Sequence, residues 1–149
     1  MEAFGRAGWK VLKYNRLKAL SALHSCTVEF GLILEDDKLR IYGAGILSGP
    51  TEAVFSVDSR APSRIYLNVD RVMSTDYAIS DLQATYFLIG SFRELFYLTE
   101  RRRFEPIYES LAPSFQYAKT AAVDTDHIYH RCTQEYELRG GRQSGTRPN

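Results

Sequence analysis

Glu29 lies between Val28 and Phe30 in the run Thr27-Val28-Glu29-Phe30-Gly31-Leu32. A carboxylate in apolar company is costly unless something pairs with it or it coordinates a cation. The chemistry it suggests is therefore metal ligation or a polar contact inside a site. Further on come Gly43, Ala44 and Gly45, small enough to let a backbone approach a ligand or another strand. Ser48 and Glu52 follow and add polar groups to the same stretch. Taken singly, these residues also have plain readings: a turn serine, a solvated helix charge and strand-end glycines.

The elements that must position them follow from periodicity. Residues 9–32 read as one helix, with Leu12, Leu17, Leu20, His24, Thr27 and Gly31 at intervals of three or four. At about 100° per residue, Glu29 falls near Lys18, Ala22, Ser25 and Cys26, roughly opposite the leucine stripe. Asp36 and Asp37 mark a turn, and residues 38–42 alternate as a strand with Leu39 and Ile41 on one side, giving a hairpin. Pro50 suits the first turn of a helix over residues 51–57, and Pro62 makes residues 60–63 a loop. Residues 65–67 read as extended, 69–73 as a helical turn, and 85–89 as a continuous, buried β-prone run. Ser91 with Glu94 matches a capping box opening a helix to about Thr99. Arg101, Arg102 and Arg103 near its end complement the helix dipole.

Composition narrows the class. A chain of 149 residues, 44% hydrophobic and 25% charged, has the make-up of one soluble globular domain. A net charge of +1 gives no general attraction to nucleic acid or an anionic membrane, and no run approaches the roughly 18 apolar residues of a membrane helix. Two cysteines, Cys26 and Cys132, do not make a disulfide framework, and a reducing cytoplasm is the expected location. Beyond residue 119 the apolar pattern thins, and residues 139–149 are basic and glycine-rich. The expected organisation is therefore a domain over residues 1–118 and a divergent, partly disordered tail over 119–149. No sustained heptad pattern argues for a coiled coil, which favours a monomer.

The Thr27–Leu32 motif, the later Leu39-Arg40-Ile41-Tyr42-Gly43-Ala44-Gly45-Ile46-Leu47-Ser48, and Tyr77 followed by Ile79, Asp81, Gln83, Thr85, Tyr86 and Phe87 together resemble a family. It is the pterin-dependent aromatic amino acid hydroxylases, with the bacterial phenylalanine 4-monooxygenases nearest; the resemblance runs over about residues 4–111. It implies a mainly α chain with small β elements (α+β), the C-terminal portion of the family's catalytic domain. The implied cofactors are ferrous iron and tetrahydrobiopterin, and the implied reaction turns L-phenylalanine into L-tyrosine with dioxygen. Glu29 matches the carboxylate of the family's facial triad of two histidines and one carboxylate, a ligand set that leaves open positions on iron. Phe30, Gly45, Ser48 and Glu52 match positions that line or support the substrate pocket, and Tyr77 matches an active-site loop tyrosine.

The family's histidine-bearing segment lies upstream of the matched stretch, so the chain reads as a fragment whose partner is a missing N-terminal catalytic segment. His24, Ser25 and Cys26 also replace an aromatic triplet that forms a pocket wall in the family. His24 sits roughly 140° from Glu29 on an α-helix and does not rebuild the triad. His127 and His130 have a metal-like spacing, but a surface helix or turn is their plain reading. The expectation for this chain by itself is no turnover, and a catalytically inactive relic or interaction protein stands as the alternative. Choice among phenylalanine, tyrosine and tryptophan is left open.

Overall fold

The computed structural model describes residues 17–75, 82–101 and 122–131. Its centre is a five-stranded mixed sheet in the order β2-β1-β4-β3-β5. The strands are β1 (Leu32–Glu35), β2 (Lys38–Ile41), β3 (Ser63–Tyr66), β4 (Thr85–Ile89) and β5 (Ile128–His130). β1 and β2 pair antiparallel, β1 and β3 both run parallel to β4, and β5 lies antiparallel on the outer edge of β3. The helices are α1 (Leu17–His24), α2 (Ala44–Ser48), α3 (Pro50–Asp58), α4 (Val69–Met73) and α5 (Phe92–Phe96); π-helical turns follow α1 at Ser25–Glu29 and α5 at Tyr97–Arg101. Among the described residues no helix is long and apolar enough to cross a membrane.

Side chains alternate across the pleat, so each strand feeds two cores. Ile33, Ile65, Phe87 and Ile89 meet α1 and α4 through Ala19, Leu20, Leu23, Cys26, Val69, Val72 and Met73. Leu32, Tyr86 and Leu88 face the other way, onto Ile46 of α2 and Ala53, Phe55 and Val57 of α3. All five residues of β4 are buried. A central strand covered on both faces has no polar side to show, which is why 85–89 reads as an unbroken apolar run.

The hairpin forms as its turn predicts. Asp36 and Asp37 both take positive φ, 51° and 58°, the left-handed backbone that a two-residue primed turn requires. Helix α3 starts with Pro50, residues 63–66 are extended, and residues 69–73 are helical with Asn68 Oδ1 accepting from Arg71 N at 3.1 Å. Ser91 Oγ accepts from Glu94 N at 3.1 Å, while the Glu94 carboxylate accepts from Gly90 N at 2.8 Å, one residue earlier than in a standard capping box.

Three expectations change. The helix read over residues 9–32 ends by Glu29, and Leu32 opens a strand; residues 9–16 lie outside the described part. Both faces of this segment feed the core: Leu20 and Thr27 of the stripe are buried, and so are Ala22 and Cys26, placed opposite it with Glu29, while Leu17 is 62% exposed. Residues 122–131, read as tail, supply an edge strand and half of a buried ion pair. Asp126 Oδ1 meets Arg71 Nε at 3.0 Å, with side chains 5% and 6% exposed, and Asp126 Oδ2 accepts from Val123 N at 2.9 Å. The class is α+β, with the sheet carrying both cores.

Candidate functional site

Glu29 is the last residue of the π-helical turn. The turn has a local cause. Thr27 Oγ1 donates to the Leu23 carbonyl at 2.6 Å, a back-bond to i−4 that loosens the α ladder, and the chain closes instead with Phe30 N to Ser25 O at 2.8 Å, a bond spanning five residues. In such a turn residues five apart approach the same face, so the roughly 140° between His24 and Glu29 expected of an α-helix does not apply.

Opposite the turn stands the small-residue stretch. Gly43 N and Tyr42 N both donate to Gly31 O, at 3.1 and 3.2 Å. A Cβ on Gly43 would lie 2.4 Å from the Glu29 carbonyl oxygen and 2.6 Å from Gly31 N, so the bare α-carbon is what lets the two segments touch. At Gly45 a Cβ would meet the Glu29 carbonyl oxygen at 3.0 Å, Glu29 Oε2 at 3.2 Å and Phe30 Cε1 at 3.2 Å. Gly45 therefore packs directly against the Glu29 carboxylate and the Phe30 ring. Among the described residues no cation or donor is paired with that half-buried carboxylate.

Ser48 closes α2: its Oγ donates to the Gly45 carbonyl at 2.8 Å, and it is exposed. Glu52, in the first turn of α3, is already engaged, its Oε1 accepting from Tyr86 Oη at 2.9 Å and Gln83 N at 3.4 Å. Phe30 packs on the core that holds Leu32 and Ile46. Glu29, Phe30 and Gly45 thus form one wall, Ser48 is joined to it through the Gly45 carbonyl, and Glu52 is tied to the sheet. Tyr77 lies outside the described residues.

Other sequence candidates separate from this wall. The Cys26 thiol is buried and pushed up to about 12 by desolvation, against a smaller opposing effect of Arg71, so it is no nucleophile. His127 stacks on Tyr66, ring centroids 4.3 Å apart, and His130 Nε2 lies 3.0 Å from the Arg60 carbonyl oxygen. His130 is in β5, not in a helix or turn. Among the described residues no three histidine, cysteine, aspartate or glutamate side chains cluster as a metal site. The residue that sequence reasoning passes over is Tyr86. Its hydroxyl, on a side chain 1% exposed, needed a partner inside the core, and that requirement was the available signal.

The chain is similar in sequence and fold to known proteins. The family described as biopterin-dependent aromatic amino acid hydroxylase matches residues 12–129, further than the stretch over which the motifs suggest it and as far as β5. The phenylalanine-4-hydroxylase of Ralstonia nicotianae is 43% identical over 135 residues, 91% of this chain and 43% of that protein. That of Caulobacter vibrioides is 43% identical over 145 residues, 97% of this chain and 49% of that protein. The iron- and phenylalanine-bound crystal structure of phenylalanine hydroxylase from Chromobacterium violaceum superposes with a TM-score of 0.82 at 39% identity, covering 85% of this chain and 47% of that one. The chain spans about half the length of the curated relatives it matches.

Proposed function

Because this chain belongs to the biopterin-dependent aromatic amino acid hydroxylases, we propose that it forms the carboxylate side of a phenylalanine 4-monooxygenase site, as the C-terminal portion of that catalytic domain. Glu29 is the ligand this side contributes to a ferrous ion. One observation carries the reading: a half-buried carboxylate, unpaired among the described residues, is held by a π-helical turn against a glycine. An anionic oxygen left in that state is completed by a cation. A single carboxylate fits one arm of a two-histidine, one-carboxylate set; as no such cluster forms among the described residues, the two histidines would come from another segment.

With tetrahydrobiopterin, the iron supplies activation of dioxygen for hydroxylation of the aromatic ring. The chain's own residues position and exclude. Gly45 leaves room beside the carboxylate, Phe30 presents an apolar ring edge next to it, and Ser48 holds the end of α2 through the Gly45 carbonyl. L-phenylalanine is the substrate, because the relatives at 43% identity are phenylalanine-4-hydroxylases. That agreement, over 91% and 97% of this chain, also does not favour the relic or interaction-protein reading, despite the exchanged residues His24, Ser25 and Cys26. The cytoplasm remains the proposed location, resting on composition.

The test is complementation. The chain is mixed anaerobically with a polypeptide carrying the histidine segment of the Ralstonia relative, loaded with cobalt(II) for absorption spectroscopy, and separately with ferrous iron for tyrosine formation with reduced pterin. The pair should bind cobalt and form tyrosine, and the chain alone should do neither. With Glu29→Ala the pair should lose both signals. Equal cobalt affinity for the Glu29→Ala pair would remove Glu29 from the ligand set.

A further inference from the structure

Glu52 matches a substrate-pocket position, yet its carboxylate points into the protein's own hydrogen bonds. Its Oε1 accepts from the Tyr86 hydroxyl at 2.9 Å and from Gln83 N at 3.4 Å, linking residues 34 and 31 positions apart. Tyr86 is 1% exposed and sits in β4, the strand covered on both faces. Phe55 of α3 also meets its ring edge-on, centroids 6.5 Å apart. The bond therefore spans from the most enclosed strand to the helix that follows the small-residue wall.

α2 and α3 are joined by one residue. Gly49 ends the first, its N–H donating to Ile46 O at 3.1 Å, and begins the second, its carbonyl accepting from Ala53 N at 2.9 Å. What fixes α3 thus fixes α2. Within α2, Ile46 is fully buried on the same core as Tyr86, and the next residue back, Gly45, packs on Glu29 Oε2.

We propose that Glu52 and Tyr86 act as a positioning pair, in which the Tyr86 hydroxyl donating to Glu52 seats the α2–α3 unit on the sheet and so holds Gly45 against the Glu29 carboxylate. Glu52 then shapes the substrate wall through Tyr86 instead of touching the substrate. The relevance to phenylalanine rests on the function proposed above; the coupling itself does not.

Hydrogen exchange on the full chain, without metal or substrate, separates the two. The reporters are the Leu47 and Gly49 amides of α2, bonded to Gly43 O and Ile46 O, with the Leu67 amide, bonded to Leu88 O, as the reference. Tyr86→Phe and Glu52→Ala should each speed exchange in α2 by about tenfold or more, the loss expected for a hydrogen bond to a charged group. The double variant should be no faster than Glu52→Ala alone, because that substitution already removes the bond that Tyr86→Phe removes. Glu52→Gln, which keeps an acceptor for the phenol proton, should stay within about threefold of the parent. Should Glu52→Ala fail to fold, Tyr86→Phe, which removes one oxygen, carries the test. Unchanged α2 exchange in Tyr86→Phe, additive effects in the double variant, or equal acceleration at Leu67 would each overturn the pair. Failure of iron binding in the complemented complex would count against the proposed function and leave this result standing.

Discussion

Replacing Gly43 by alanine gives a perturbation whose sign is set by the structure. Its backbone, φ −68° and ψ 126°, is ordinary extended geometry that any residue adopts. On the unfolded-state argument alone, Gly→Ala at such a position stabilises by about 0.4–1 kcal/mol. The new methyl, however, meets the Glu29 carbonyl oxygen at 2.4 Å, Gly31 N at 2.6 Å and the Glu29 carbonyl carbon at 2.7 Å, all backbone atoms that cannot rotate away. Forcing such atoms apart costs about 1–3 kcal/mol, so the net effect is destabilising. Gly49 is the internal control. It too is an extended helix N-cap, φ −118° and ψ 101°, but a Cβ there meets nothing nearer than Glu52 Cβ at 3.7 Å. Conformational and capping contributions are shared by the two sites, so their difference reports the clash. Urea unfolding of the two alanine variants should give a lower midpoint for Gly43→Ala at unchanged slope, by about 1–3 kcal/mol relative to Gly49→Ala. A Gly43→Ala chain as stable as Gly49→Ala would refute the contact between the Glu29 turn and the small-residue stretch.

Replacing Asp126 by alanine takes the carboxylate away from the buried Arg71 guanidinium, which keeps its bond to Thr75 Oγ1, and should cost up to about 3–5 kcal/mol in the same unfolding assay, whereas a loss under about 1 kcal/mol would mean the pair is hydrated in solution. Burial raises the Cys26 thiol from 9.0 to about 12, so the folded state holds a proton that the unfolded state gives up. The stability this contributes is fully present below about pH 9 and declines as pH rises towards about 12, and Cys26→Ala should flatten that part of the profile measured by urea titration. The same burial should keep the Cys26 thiol unmodified by a thiol reagent in the folded chain and open it to the reagent in urea, which mass spectrometry reads directly. Ser91→Ala should destabilise by about 1 kcal/mol through loss of the cap on Glu94 N, with Ser91→Asp restoring most of it.

Local rules made the hairpin, α3 and the Ser91 cap legible, because each is decided by residues next to one another: Asp36 with Asp37, Gly49 with Pro50, Ser91 with Glu94. Glu29 stands out in the sequence for the same kind of reason, a charge among apolar neighbours. Contacts between distant segments were not legible. β5 is three residues long and exists because it pairs with β3, so no alternation of its own announces it. The helix over residues 9–32 was drawn too long because a strict 3.6-residue period cannot register a turn that closes on the fifth residue, and the Thr27 back-bond behind it is a single hydroxyl. Tyr86 reads as one more aromatic in an apolar run until Glu52, 34 residues earlier in the chain, is brought to it. The motifs supplied the family, while the partners of Glu52 and of Arg71 came only from coordinates.

The π-helical turn at Ser25–Glu29 behaves as a one-residue insertion that the helix has absorbed. Were the same residues to return to α spacing, about 100° per residue instead of the roughly 80° of a turn that closes on the fifth residue, the five steps from His24 would carry the carboxylate roughly 90° further about the axis of α1. Glu29 would keep its chemical identity and its neighbours in sequence, yet face away from Gly45. The aim of Glu29 therefore depends on whatever keeps the turn wide, the Thr27 back-bond included, and a related sequence with one residue fewer between Leu23 and Phe30 would keep that aim on a plain α-helix.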